Sequence, residues 1–238
     1  MTDGGPAIVA RGVRKVYARA GATPLPVLDI AGLTVPAGGW TALRGRSGSG
    51  KTTLLNLIAG IARPTAGSIE VAGVDVAALP EARRDAFRMR HVGYVFQSFN
   101  LLAALSALEN VMLAMTFARA RSHGEQRARA AAILTRLGLA DRLAHRPHQL
   151  SRGEQQRVAI ARALVHDPPI LLADEPCASL DAASAHAVLG ELVALCRGAG
   201  TTVLVASHDD AVLGVADRVL DMAELNRAGR APVAMASA

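Results

Sequence analysis

Gly45-Arg46-Ser47-Gly48-Ser49-Gly50-Lys51-Thr52-Thr53 fits the pattern G-x-x-x-x-G-K-[ST] in full. Glycines at these places let backbone N–H groups curl around a polyphosphate. A helix starting near the lysine turns its positive end toward the same anion. Lys51 would supply a mobile charge to the β- and γ-phosphates, and Thr52 a hydroxyl to Mg²⁺. Such a metal also needs a carboxylate. Asp174-Glu175-Pro176 closes the apolar run Ile170–Ala173 and offers two. Asp174 would hold Mg²⁺, usually through water, while Glu175 would polarise an attacking water. Two adjacent carboxylates could instead cap the following helix, but the complete phosphate loop favours the metal role.

These groups meet only if a strand delivers the loop and a helix carries it away. Trp40–Leu43 is the expected strand and Leu54–Ile58 the start of the helix. Further strands are expected at Ile8–Tyr17, Leu33–Val35, Ser68–Val71, Val92–Phe96, Ile170–Ala173 and Thr202–Ala206. The last three are short apolar runs of the kind buried in a parallel sheet. Between Ser98 and Gln149 the strands stop, and Ala107–Ala118 and Glu125–Leu137 carry helical spacing instead. The pattern predicts an α/β core with a helical subdomain inserted at about 98–150.

Composition narrows the class. The chain has 238 residues, mean hydropathy +0.26 and 51% hydrophobic residues. Its most apolar windows, Leu54–Ala62 and Leu101–Leu108, are far short of the roughly 20 residues a bilayer crossing needs. The start, MTDGGPAIVA, shows no basic segment followed by an apolar core, so no secretory signal is expected. Two cysteines, Cys177 and Cys196, cannot build a disulfide framework or a four-ligand zinc site. The net charge of +6 lies in residues 1–119, partly in Arg83, Arg84, Arg88 and Arg90. Such a face could meet nucleic acid or anionic lipid; a solvated basic face is the plainer expectation.

Leu150-Ser151-Arg152-Gly153-Glu154 precedes the helical run Gln155–Leu164. Ser151 is a good N-cap, and Glu154 three residues on completes a capping box. Set between a phosphate loop and a strand ending in Asp-Glu-Pro, this start resembles the signature sequence of ATP-binding-cassette ATPases. The order phosphate loop, Gln97, signature, Asp174-Glu175, Ser179-Leu180-Asp181 and His208 is that family's own, and the resemblance covers roughly Ile8 to Leu220. It implies a P-loop NTPase core with an antiparallel β subdomain and the inserted helical subdomain, forming one ATP-binding domain over 1–227. The small or Pro-bearing stretch 228–238 is expected to fray.

The resemblance also implies a mechanism. Two copies pair head to tail around two ATP molecules, each held by the phosphate loop of one and the signature of the other. Ser151, Gly153 and Glu154 would then contact ATP in trans, and Asp181 would help arrange the opposing site. Tyr17 matches the aromatic that stacks on adenine. Gln97 matches the residue sensing Mg²⁺ and the nucleophilic water, and His208 the switch histidine at the γ-phosphate.

Arg152 departs from the usual glycine, Glu154 from a common glutamine and Cys177 from a common threonine. Arg152 is expected to point away from nucleotide, leaving the phosphate work to Gly153 and the helix N-terminus. After Leu220 a familiar glycine turn is replaced by Asp221-Met222-Ala223-Glu224-Leu225.

Phe96-Gln97-Ser98-Phe99-Asn100-Leu101-Leu102, followed by Ala107–Val111, is similar to the branch serving lipoprotein release and macrolide-type efflux. The implied partners are a second copy and integral membrane permease subunits, at the cytoplasmic face of a bacterial inner membrane. Two other classes fit less well. One is a regulatory ATP switch acting through a membrane partner on cell-wall or division machinery. The other is a nucleic-acid-linked ATPase, which usually carries two cassettes or long heptads. With one phosphate loop and no sustained heptads here, no nucleic acid is expected.

Overall fold

The computed structural model describes residues 5–19, 21–116 and 122–228. In chain order the elements are β1 (Ile8–Arg19), β2 (Ala22–Val35), β3 (Trp40–Arg44), α1 (Lys51–Ile58), β4 (Ala66–Val71), β5 (Val74–Asp75), α2 (Glu81–His91) and β6 (Val92–Val95). There follow α3 (Ala107–Thr116), α4 (His123–Arg136), α5 (Arg152–Leu164), β7 (Ile170–Asp174), α6 (Ala182–Ala199), β8 (Thr202–Ala206), α7 (Asp210–Gly214), β9 (Arg218–Asp221) and α8 (Met222–Leu225). The expected fraying of the terminal stretch falls, from residue 229 on, outside the described residues.

Two sheets enclose α1. One is antiparallel, in the order β2-β1-β4-β5; the other is parallel, in the order β6-β7-β8-β3-β9. In the parallel sheet β7 and β8 are buried along their whole length, which is why they read as unbroken apolar runs. Successive side chains leave on opposite faces. Leu171, Ala173, Val203 and Val205 join the core beneath the helices, while Ile170, Leu172, Leu204 and Ala206 join the core around α1. The second core also holds Ile8, Ile30 and Ile69 of the antiparallel sheet, so α1 is clasped between the sheets through Leu54, Leu55, Leu57 and Ile58.

β2 is much longer than the Leu33–Val35 expected. Pro24 and Pro26 obscure it in the sequence, yet β2 is an edge strand, where a missing N–H leaves no ladder bond unmade. α2 was hidden for another reason: only Arg84 and Phe87 are buried on it, so it carries no apolar periodicity. Its arginines also correct the expected solvated basic face. Arg83 and Arg90 are exposed, but Arg84 is buried against Gly60 at the C-terminal end of α1. Arg88 pairs with Asp85 at 2.7 Å and reaches Gly60 O at 3.5 Å. Cations thus sit at the negative end of the helix whose positive end opens the phosphate loop.

The inserted segment is helical as expected. Val111 and Met115 of α3, Ala130 and Leu134 of α4 and Ile160 of α5 share one core. α4 starts earlier than the Glu125 read from the sequence, because Ser122 and Glu125 form a reciprocal capping box. Asn110, fully buried on α3, organises the segment leading into that helix. It accepts from Leu102 N at 2.8 Å and donates to the carbonyls of Leu102, Leu105 and Ser106 at 3.0–3.1 Å. Asn110→Ala leaves Leu102 N and Leu105 O without their partner, while Leu102 O and Ser106 O keep backbone donors, and is expected to cost about 1–3 kcal/mol. Denaturant unfolding measures it; an unchanged midpoint would show the bonds to be dispensable.

Candidate active site

β3 runs into the loop 45–50, and α1 leaves from it at Lys51. Two glycines allow the turn. Gly50 has φ 97°, and a Cβ there would lie 2.6 Å from Leu28 Cδ2. A Cβ on Gly45 would lie 2.6 Å from Ser49 Oγ and 2.9 Å from Met222 Cβ. Lys51, only 7% exposed, is folded back into the loop. Its Nζ donates to Gly45 O at 2.5 Å and lies 3.3 Å from both Arg46 O and Glu175 Oε1.

The carboxylates arrive from the end of β7. Asp174 is buried, and its Oδ1 has no hydrogen-bond partner. Burial pushes its carboxyl above the usual range; the Thr52 hydroxyl opposes this, the Glu175 charge adds to it, and Lys51 opposes it. An unsatisfied buried carboxylate oxygen close to a threonine hydroxyl is a donor set that suits a hard divalent cation. Glu175 stands at φ 47°, a region side chains seldom occupy, held by its N–H to Ala206 O at 2.8 Å. That turn aims its carboxylate at three neighbours. Oε1 faces Lys51 and lies 3.0 Å from His208 Nδ1, while Oε2 accepts from Ser207 Oγ at 3.3 Å.

These groups line one cleft of about 550 Å³, bounded by Arg46–Thr53, Gln97, Asp174, Glu175 and His208. Gly45 contributes from behind, through the carbonyl that holds Lys51. The family model for ABC transporters matches residues 28–178, taking in the phosphate loop, Gln97, the Ser151 helix start and Asp174-Glu175. The chain belongs to the ABC transporter family. It is 46% identical to the lipoprotein-releasing system ATP-binding protein LolD of Anaeromyxobacter dehalogenans, over 92% of this chain and 91% of that protein. It is 47% identical to the macrolide export ATP-binding/permease protein MacB of Rhodopirellula baltica, over 89% of this chain but 31% of that protein. The chain therefore spans about a third of the MacB relative and nine-tenths of the LolD relative. Among solved structures it resembles a dimeric post-hydrolysis state of the ATP-binding cassette MJ0796 bound to ADP and Pi. The TM-score is 0.83 at 38% identity, covering 90% of this chain and 93% of that one.

A third of the residues expected of an ABC ATPase site, Gly45 among them, do not line this cleft. Ser151 and Glu154 cap α5: Ser151 Oγ accepts from Glu154 N at 3.2 Å, and Glu154 Oε2 accepts from Ser151 N at 2.8 Å. Glu154 Oε1 accepts from Arg142 Nε at 3.0 Å. The Ser151 N–H and Arg142 hold the Glu154 carboxyl below its usual range, so its charge is already engaged within its own chain. Asp181 caps α6, accepting from Ser184 N at 3.0 Å. A Cβ on Gly153 would meet Ser184 at 3.5 Å, an ordinary contact, so nothing within one chain demands a glycine there. Tyr17 is 41% exposed, with Lys15 Nζ 4.7 Å from its ring centroid, and lies outside the cleft lining.

Arg152 Nη1 lies 3.5 Å from Ser179 O, a contact with its own chain. Arg152→Gly is therefore expected to alter ATP turnover only a few-fold, within about 1 kcal/mol of barrier. Steady-state ATPase assays decide it, and a hundredfold loss would place the guanidinium on phosphate.

Val27 on the cleft wall, Ser207 against Glu175 and Asn226 at the phosphate loop were not anticipated. Asn226, just past α8, accepts from Asp29 N and donates to Val27 O, both at 2.9 Å, and to Ser49 O at 3.1 Å. It fastens the end of the fold to both β2 and the phosphate loop. Only the oddity of the segment after Leu220 pointed there.

Proposed function

We propose that the chain binds ATP with Mg²⁺, hydrolyses it in a head-to-tail pair of copies, and drives an integral membrane permease in export or lipoprotein-release work. The observation that carries this is the convergence of Lys51, Asp174, Glu175 and His208 on one cleft beneath the phosphate loop. The loop N–H groups and Lys51 would bind the triphosphate. Thr52, Asp174 and Gln97 would hold Mg²⁺, which would neutralise charge on the β- and γ-phosphate oxygens. Glu175 is paired with Lys51, so a γ-phosphate that draws the ammonium away would free the carboxylate to orient water. His208, with its side chain 71% exposed, is accessible to the same phosphate while touching Glu175.

Pairing of two copies is supported by what one copy leaves unused. Ser151, Gly153, Glu154 and Asp181 line no part of the cleft, and the α5 N-terminus is an anion-attracting end. Gly153 would allow close approach of phosphate, Glu154 would keep the helix start rigid, and Asp181 would border the opposing site. Tyr17, exposed at the end of β1, is free of core packing and would stack on adenine. Residues 1–227 would act as one ATP-binding domain, with the helical subdomain at about 98–150 receiving the permease.

Among the described residues no helix is long and apolar enough to cross a membrane. In the proposed complex the permease would supply the spans, and this chain would sit at the cytoplasmic face of a bacterial inner membrane. Solubilised membranes test this. The chain should be recovered with an integral membrane protein that alters its ATPase rate and moves cargo after reconstitution. Recovery with soluble proteins alone would defeat the transport role. A membrane complex that turns over ATP without moving cargo would favour regulation.

A further inference from the structure

Gln97 and the signature start at Ser151 belong to different segments, yet one side chain ties them together. Arg162 lies on α5, about three turns or roughly 16 Å along the helix from Ser151. Its Nη1 donates to Asn100 O at 2.5 Å and its Nη2 to Phe99 O at 2.6 Å. Phe99 and Asn100 are consecutive non-glycine residues at φ 56° and 51°. Left-handed backbone at two adjacent side-chain-bearing residues persists only where the surroundings enforce it. Here both carbonyls converge on a single planar guanidinium, whose fork is pre-organised for two acceptors. The turn closes over Gln97 itself, since Phe99 N donates to Phe96 O at 3.3 Å with Gln97 and Ser98 between them. Ser98 Oγ, 2.9 Å from Asn100 Oδ1, adds a further tie inside the turn.

We propose that Arg162 is a positioning residue for Gln97. It fixes the Phe99-Asn100 turn and, through the rigid body of α5, joins the Gln97 loop to the signature start. This rests on the function proposed above, which places Gln97 at the metal and water of its own cleft and Ser151 at the partner copy's nucleotide. A shift of α5 when its N-terminus engages that nucleotide would then move the Gln97 loop in the same chain. Arg162 lines no part of the cleft and acts through backbone geometry.

The test compares Arg162→Met, Gln97→Ala and the double variant in the full chain, by ATPase kinetics and by hydrogen exchange. Arg162→Met is expected to lower kcat about tenfold with KM for ATP within about twofold, since small misplacements near a reacting centre are costly. In the Gln97→Ala background the same change should cost less than about twofold, because the residue it positions is already gone. Amides 97–101 should exchange faster while those of α3 and α4 stay protected. Full independent losses in the double variant, or unaltered exchange at 97–101, would overturn the proposal. If Arg162→Met unfolds, Arg162→Lys keeps the charge without the fork, and the same two readouts apply. An inactive wild-type chain would count against the proposed ATPase function instead, and exchange alone would then decide whether Arg162 holds the turn.

Discussion

Lys51→Ala is expected to weaken ATP binding by at least about thirtyfold and to abolish measurable turnover while leaving the chain folded. The ammonium is nearly buried and sits where the loop carbonyls of Gly45 and Arg46 and the Glu175 carboxylate converge. Removing one member of a desolvated charged contact typically costs about 2–5 kcal/mol, or one and a half to three and a half powers of ten in affinity. The fold should survive because α1 is anchored by Leu54, Leu55, Leu57 and Ile58 between the two sheets, independently of the lysine. Glu175 loses one partner but keeps Ser207 and His208. Nucleotide titration of the purified variant, with circular dichroism as the control for folding, measures the effect. Wild-type affinity would refute the phosphate-loop assignment.

Glu175→Gln separates binding from chemistry. The amide keeps the size of the side chain and an acceptor oxygen toward Lys51 and His208, so the cleft should retain its shape. What it loses is a carboxylate able to polarise and deprotonate water, a contribution of about 10²–10⁴ in rate. Turnover should therefore fall by a hundredfold or more with ATP binding preserved. With hydrolysis blocked, the ATP-closed pair of copies should accumulate, visible as a dimer by light scattering with ATP and as a monomer without it. Normal turnover would remove Glu175 from the role of base; a blocked enzyme that stays monomeric with ATP would count against the head-to-tail pair.

Local chemistry was legible in the residues. Gly45–Thr53 matches the phosphate-loop pattern within nine consecutive residues, and the apolar runs of β7 and β8 suit only a sheet covered on both faces. The Ser151–Glu154 capping box was equally plain, since its partners lie three residues apart. Only the tertiary structure decided what long-range packing decides. It made Pro24 and Pro26 acceptable by putting β2 at an edge, and buried Arg84 at the far end of α1. It brought Asn226 back to the phosphate loop and set Arg162 against the Gln97 turn. It also showed that Glu154 spends its carboxylate on Ser151 and Arg142, and that one copy leaves Ser151, Gly153 and Asp181 outside its own cleft. Spacing along a chain reports which groups can share a turn or a helix face. Which carbonyl meets which guanidinium across scores of residues depends on how the sheets and helices pack, and no local pattern encodes it.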